Sequence, residues 1–268
     1  MNQQIKLAVF DLAGTTVKDD NAVRDCLYKA AVQYDLKATP DEIANLMGTN
    51  KIHLYQFLIA KSQGRIMDFR GFEEDIFEDT YELAKKIYDC YVEIMIDYYR
   101  HDCQEIEGAS KVFEWCHKND IKVATDTGFH SDVNQAIFDC LGWLRDGLVD
   151  CAVDLDMVPE GKGRPAPFML YRAMQELNIQ NVRSVIKIGD TPADMLEGYN
   201  AGCRAVIGVT SGSTPITSWG KYWHTHVIES VPGSAGSDRS GLHCVEMKQK
   251  SVHVKEETDH AEKLGIIY

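Results

Sequence analysis

The feature that most constrains this chain is an alternation. From about residue 105 onward, short apolar runs at 121–125, 184–188, 204–209 and 226–228 take turns with helical patterns near 109–118, 130–141, 166–177 and 192–201. A parallel strand pair needs a long crossover, which a helix supplies, so strands alternating with helices predict an α/β fold: a parallel sheet with helices on both faces. A further apolar run at 5–10 fits the same pattern but stands apart from the rest. The intervening residues 17–102 show helical periodicity and no convincing strand, and are read as a helical insert after the first strand. The expected division is therefore a core from 1–16 and 103–232, an insert over 17–102, and a tail over 233–268.

Within the insert, Thr39-Pro40-Asp41-Glu42 reads as a helix start, with Thr39 as N-cap, Pro40 in the first helical position and Glu42 completing a capping box. Gly48 is the expected stop. Residues 72–99 carry Phe77, Tyr81, Ala84, Tyr88, Tyr91, Met95 and Tyr98 at three- or four-residue spacing, which predicts one long amphipathic helix. An aromatic stripe of this kind is read as core packing rather than a cofactor site. The tail opens on the linker-like Gly233-Ser234-Ala235-Gly236-Ser237, and no function is assigned to it.

Composition narrows the function. The chain has 268 residues, enough for a sizeable core, and 44% of them are hydrophobic and 26% charged, as in a soluble globular protein. A net charge of −13, from 41 acidic against 28 basic residues, argues against nucleic acid or an anionic membrane as partner. An anionic ligand must then be met locally, by a metal or a few placed cations. The eight cysteines are scattered, with no CxxC pair, and are expected as free thiols in the cytoplasm. The first apolar run is closed by Asp11 and is too short for a signal peptide.

Three acidic residues carry the chemistry. Asp11 ends the first strand and enters Asp11-Leu12-Ala13-Gly14-Thr15-Thr16, a turn whose amides and hydroxyls, Thr15 among them, can hold phosphate oxygens. Ile188-Gly189-Asp190-Thr191-Pro192-Ala193-Asp194 repeats the arrangement, and Asp190 and Asp194 fall about one helical turn apart, able to face the same crevice. Three converging carboxylates repel one another unless a cation lies between them, and an all-oxygen donor set suits Mg²⁺. Each aspartate taken alone could instead be a helix cap. Thr125-Asp126-Thr127-Gly128 ends another strand and offers Thr125, Thr127 and the Gly128 amide to an oxyanion. Arg164 precedes the helix expected from 166 and brings a guanidinium toward the same edge, although an isolated arginine is usually solvated.

These four segments, Asp11 to Thr16, Thr125 to Gly128, Arg164, and Gly189 to Asp194, resemble in order the four motifs of the haloacid dehalogenase superfamily. More narrowly, Ala13 and Arg164 are similar to the phosphonoacetaldehyde hydrolase branch, where alanine replaces a motif aspartate and arginine replaces the usual lysine. The resemblance covers roughly residues 5–231. It implies a Rossmann-like core with a helical cap, Mg²⁺ held by Asp11, the Ala13 carbonyl, Asp190 and Asp194, and a homodimer through the cap. It also implies a role for Met47-Gly48-Thr49-Asn50-Lys51, with Met47 beside the substrate and Lys51 at the Schiff-base position. Lys51 is expected to open a helix over 51–62, whose dipole disfavours an ammonium and frees the amine to attack. Ala13 cannot protonate an ester oxygen, so a carbon leaving group fits better than an ester.

The reaction so implied is imine formation at Lys51, attack of Asp11 on phosphorus, and hydrolysis of the aspartyl phosphate, on phosphonoacetaldehyde or a related 2-oxoalkyl phosphonate. The chain departs from the branch at Leu54, which stands where a histidine is usual, at Asn21 for a cysteine, at Phe129 for a tyrosine, and at Lys162-Gly163, a small insertion. A phosphomonoesterase of the same superfamily, acting on a small phosphorylated metabolite, is the alternative, and a non-catalytic sensor a third.

Overall fold

The computed structural model describes residues 4–47, 50–65, 78–159 and 161–231. Six strands, β1 (Leu7–Phe10), β2 (Lys122–Asp126), β3 (Cys151–Val153), β4 (Val185–Gly189), β5 (Ala205–Val209) and β6 (His226–Ile228), form one sheet in the order β3-β2-β1-β4-β5-β6. Every pairing is parallel. The central strands are continuous apolar runs because both faces are covered, and β1, β4 and β5 are buried at every residue. In β1, Ala8 and Phe10 enter one hydrophobic cluster while Leu7 and Val9 enter another, so the period of two separates the layers. Phe10 continues into an aromatic chain, with ring centroids 5.3 Å from Phe113, which lies 5.1 Å from Trp143.

The strand order reverses between β1 and β4, and a parallel sheet opens a crevice at the carboxyl ends of its strands at that point. Register fixes what lines it. Phe10 is level with Thr125 on β2 and with Ile188 on β4, so Asp11 emerges beside Asp126 and Gly189.

Over 17–102, after β1, the described residues form four α-helices, α1 (Ala22–Gln33), α2 (Pro40–Asn45), α3 (Lys51–Ser62) and α4 (Tyr81–His101). The chain leaves and returns side by side, with Lys18 N–H donating to the Gln104 carbonyl at 2.9 Å and Ile106 N–H to the Thr16 carbonyl at 2.8 Å. The capping box at Thr39 is present, its hydroxyl accepting from Glu42 N–H and the Glu42 carboxylate accepting from Thr39 N–H. Gly48, residues 72–77 and the tail from 233 lie outside the described residues. The long helix expected over 72–99 runs from Tyr81 to His101, led in by a 3₁₀ turn at Glu78–Thr80. It packs against α1 and α3 and also against the core helix α6 (Ser131–Leu141).

The remaining core helices are α5 (Ala109–Lys118), α7 (Phe168–Glu176) and α8 (Pro192–Ala201). Two boundaries differ from expectation. Helix α7 begins at Phe168 rather than 166, because Pro165 and Pro167 bias the residues before them away from helical backbone. Strand β3 was not expected at all: its apolar run, Cys151-Ala152-Val153, is only three residues long between Asp150 and Asp154, too short to read as a strand. Among the described residues, no helix is long and apolar enough to cross a membrane.

Candidate active site

The loop after β1 is built to expose one carboxylate. Thr16 donates its hydroxyl to the Asp11 carbonyl at 2.8 Å and so tightens the turn, while the hydroxyl of the fully buried Thr15 has no partner among the described residues. Gly14 takes φ +82°, and a Cβ there would sit 2.8 Å from the Asp190 carboxylate, so both backbone conformation and space demand glycine. Gly212, after β5, lets the chain close onto Asp190 from the other side, since a Cβ there would collide with the same carboxylate.

Asp11, Asp190 and Asp194 do converge, each offering an oxygen within 4.8 Å of the others. Their surroundings differ. Asp194 is partly the helix cap that its position allowed, since one oxygen accepts Thr191 N–H at 3.1 Å and the Thr191 hydroxyl at 2.5 Å. Its other oxygen lies 2.9 Å from Arg164 and 3.1 Å from Lys187. Asp11 meets Arg164 at 2.7 Å, yet burial outweighs that cation and lifts its carboxyl to about 6. Asp190 holds Ser213 through its N–H at 2.7 Å and its hydroxyl at 3.0 Å, both on one oxygen. The other oxygen is buried without a partner, and burial, then Asp11 and Asp194, push the carboxyl well above its ordinary range. An unpartnered, buried oxygen facing two further carboxylates fits an oxygen-seeking divalent cation.

A second cluster, Asp126, Asp194 and Glu197, lies alongside. It already contains its cations. Lys187 lies within ion-pair distance of all three carboxylates, and Arg164 contacts Asp126 through one nitrogen and Glu197 at 3.1 Å through another. Burial alone would raise Asp126, but Arg164 and Lys187 hold it down to about 2. Glu197 is pushed up to about 8 by burial and by Asp126, with Lys187 and Arg164 acting in the opposite sense. This second cluster therefore holds its charge balance without a metal.

Arg164 reaches the strand edge, as its sequence position suggested, but it is neither solvated nor free. It is 11% exposed, and each guanidinium nitrogen faces a carboxylate. In this arrangement it braces Asp11, Asp126, Asp194 and Glu197. The hydroxyls of Thr15 and Thr125 are both buried without a hydrogen-bond partner among the described residues. Thr127 accepts Phe129 N–H at 3.2 Å and holds the β2 loop, and the flank of Gly128 is open, with nothing within 4 Å of where a Cβ would lie. Ala13 is half-buried on the Asp11 loop.

On the cap side, Lys51 is the first residue of α3, and Asn50 caps that helix by accepting Ile52 N–H at 2.9 Å and His53 N–H at 3.2 Å. Burial lowers the Lys51 ammonium to about 8, with Asp19 acting in the opposite sense. Met47, half-buried, packs against the main hydrophobic cluster. Leu54 is fully buried, so the position offers packing and no proton. Phe129 stacks near Tyr99 with centroids 6.0 Å apart, Asn21 opens α1 with φ 67°, and the Lys162 ammonium lies over the Phe168 ring at 5.8 Å.

Residues 8–208 match the family model described as haloacid dehalogenase-like hydrolase. The chain belongs to this family. It is a hydrolase of the haloacid dehalogenase superfamily, and its sheet and helices are those of that fold. It is 30% identical over 224 residues to a protein named phosphonoacetaldehyde hydrolase from Bacillus cereus (strain AH187), covering 80% of this chain and 78% of that one. Among solved structures it is similar to a phosphonoacetaldehyde hydrolase-like protein from Oleispira antarctica, with a TM-score of 0.67 and 21% identity over 85% of this chain and 88% of that one. It is also similar to CbbY from Rhodobacter sphaeroides in complex with phosphate, with a TM-score of 0.65 and 16% identity over 85% and 96% of the two chains.

Sequence reasoning left several members of this hydrolase's site unassigned. Lys187 is a lysine inside a strand that is otherwise apolar, and such a residue, buried on both faces, requires a partner. Glu197 follows Asp194 by three positions on α8 and so shares its face. Ser213 and Gly212 belong to a Gly/Ser cluster directly after β5, where α/β sheets bind ligands. Asp126 stood inside a quoted motif, but nothing local distinguished it from a turn residue.

Proposed function

We propose that this haloacid dehalogenase-like hydrolase cleaves the carbon–phosphorus bond of phosphonoacetaldehyde or a related 2-oxoalkyl phosphonate. The observation that carries the reading is the pairing of Ala13, which leaves no acid on the nucleophile's loop, with a cap lysine whose ammonium is lowered to about 8 by burial. A phosphate ester needs its leaving oxygen protonated; a carbon leaving group needs an electron sink, which an imine supplies. The name of the Bacillus cereus relative favours the same reading.

In this mechanism the Lys51 amine adds to the substrate carbonyl and expels water, leaving a protonated imine. An Asp11 carboxylate oxygen then attacks phosphorus, and the electrons of the breaking carbon–phosphorus bond pass into the imine to give an enamine. Water hydrolyses the aspartyl phosphate, and protonation and hydrolysis of the enamine release Lys51 and the dephosphonylated aldehyde or ketone. Thr15 and Thr125 have free buried hydroxyls to offer the phosphoryl oxygens. Asp11, Asp190, Asp194 and the Ala13 carbonyl would hold Mg²⁺, which supplies charge neutralisation for the phosphoryl group. Arg164 holds Asp11 at 2.7 Å and Asp194 at 2.9 Å through one guanidinium nitrogen, fixing the two carboxylates relative to each other. We place the enzyme in the cytoplasm, consistent with seven described cysteines that are all unpaired.

Borohydride reduction in the presence of phosphonoacetaldehyde tests the reading. A stable adduct at Lys51 in the wild type, absent in Lys51→Arg, is expected. Absence of any lysine adduct alongside ready hydrolysis of phosphate esters would establish the phosphomonoesterase alternative instead.

A further inference from the structure

Tyr99 is fully buried near the end of α4, yet its hydroxyl has no hydrogen-bond partner among the described residues. Buried phenols ordinarily find one, and an orphan marks either a cost or a missing ligand. Its surroundings favour a ligand. The ring packs on Phe129 at 6.0 Å, in the loop that follows Thr127 and the open flank of Gly128 at the carboxyl end of β2. The carboxylates acting on the phenol are Asp19 first and then Asp11, with Cys103 and Tyr98 also near. Asp19 is in turn the carboxylate acting on Lys51.

The same helix provides an internal contrast. Tyr91 also has an unpartnered buried hydroxyl, but the groups acting on it are Tyr55, Tyr88, Tyr99 and Cys26, and no carboxylate is among them. Tyr91 pairs with Tyr88 on the same helix, whereas Tyr99, further along α4, packs on Phe129 of the loop after β2.

We infer that the Tyr99 hydroxyl is a substrate contact, donating a hydrogen bond to the carbonyl oxygen of the oxoalkyl phosphonate between its phosphoryl end at Asp11 and the amine of Lys51. The assignment rests on the carbon–phosphorus cleavage proposed above. At the phosphoryl end, Thr15 and Thr125 already offer hydroxyls, which leaves the unpartnered Tyr99 hydroxyl for the carbonyl. The hydrogen bond draws electron density onto the oxygen while Lys51 Nζ forms its bond to carbon. The carbonyl π pair moves to oxygen, the carbon–oxygen bond then breaks as the carbon–nitrogen double bond forms, and the oxygen leaves as water. Both hydrogens of that water come, in net balance, from the Lys51 ammonium, so Tyr99 remains a phenol throughout.

The test is Tyr99→Phe in the full-length protein, which keeps the ring and removes one oxygen. With phosphonoacetaldehyde, kcat/KM and the rate of borohydride trapping at Lys51 are both expected to fall by about 10- to 100-fold. The melting temperature should stay level or rise, because an unsatisfied buried hydroxyl has been removed. Wild-type kinetics in Tyr99→Phe would overturn the assignment and leave the carbon–phosphorus reading intact. So would a fall in melting temperature that accounts for the lost activity, since the hydroxyl would then be structural. A wild type that neither cleaves nor traps phosphonoacetaldehyde would overturn both.

Discussion

Two neighbouring groups of three carboxylates share Asp194 and differ in how their charge is met. In Asp126, Asp194 and Glu197, the chain supplies two cations, Lys187 and Arg164, which between them reach all three carboxylates. In Asp11, Asp190 and Asp194, Arg164 serves two members, and Asp190 has no cation and keeps one oxygen without a hydrogen-bond partner among the described residues. A buried charge must be paired or neutralised, so the first arrangement is a fixed brace and the second a place for a cation that can be exchanged. In the proposed mechanism the brace sets the position of Asp11, and the second group meets the charge brought by a phosphoryl group.

The largest effect that would separate the two is chemical. Asp11→Asn is expected to lower phosphate release by about four to six orders of magnitude while leaving the fold intact, measured by stopped assays and circular dichroism. Retained turnover would remove the nucleophile from the scheme. Breaking the brace should act on folding instead. Lys187→Met leaves Asp126 buried beside one cation fewer, and urea unfolding should show a loss of about 3–5 kcal/mol. The incomplete cluster should respond to metal: at about a hundredfold excess over its dissociation constant, Mg²⁺ should stabilise the wild type by about 2.7 kcal/mol. Asp190→Asn should abolish that gain and leave the metal-free protein as stable as before or more so, because an uncompensated carboxylate is gone.

The pH profile isolates the cap from both clusters. With the Lys51 ammonium lowered to about 8, kcat/KM should rise roughly tenfold per pH unit below that value and level above it. Folding has the matching sign. Between about 8 and the ordinary 10.5, the unfolded chain binds more protons at this lysine than the folded one, so the wild type should gain stability relative to Lys51→Arg as pH rises. The smallest effect is at Ser213→Ala, which takes one hydrogen bond from Asp190 and should weaken Mg²⁺ binding about tenfold by calorimetry.

Much of this arrangement was legible before any coordinates. Asp11 and Asp190 were recognisable because each stands where an apolar run stops, and Asp194 because it follows Asp190 by about one helical turn; an α/β sheet gathers such positions at one edge whatever the intervening chain does. Lys51 was legible only through its motif, since the local sequence equally allows a solvated lysine. The brace was not legible. Asp126, Lys187 and Glu197 come from β2, β4 and α8, and nothing in sequence says that these three side chains point inward to the same spot.

What the amino-acid sequence by itself determined is the alternation of strands and helices, the insert after the first strand, and three carboxylates delivered to one edge of the sheet, because these follow from periodicity and chain direction. What only the tertiary structure decided is which charges neutralise which. Arg164 could have faced a ligand or water, and it faces four carboxylates; Asp190 could have been a cap, and it keeps a bare oxygen. The reason is that pairing in a buried site depends on separations of a few ångströms and on exclusion of water, both of which are properties of packing rather than of sequence order.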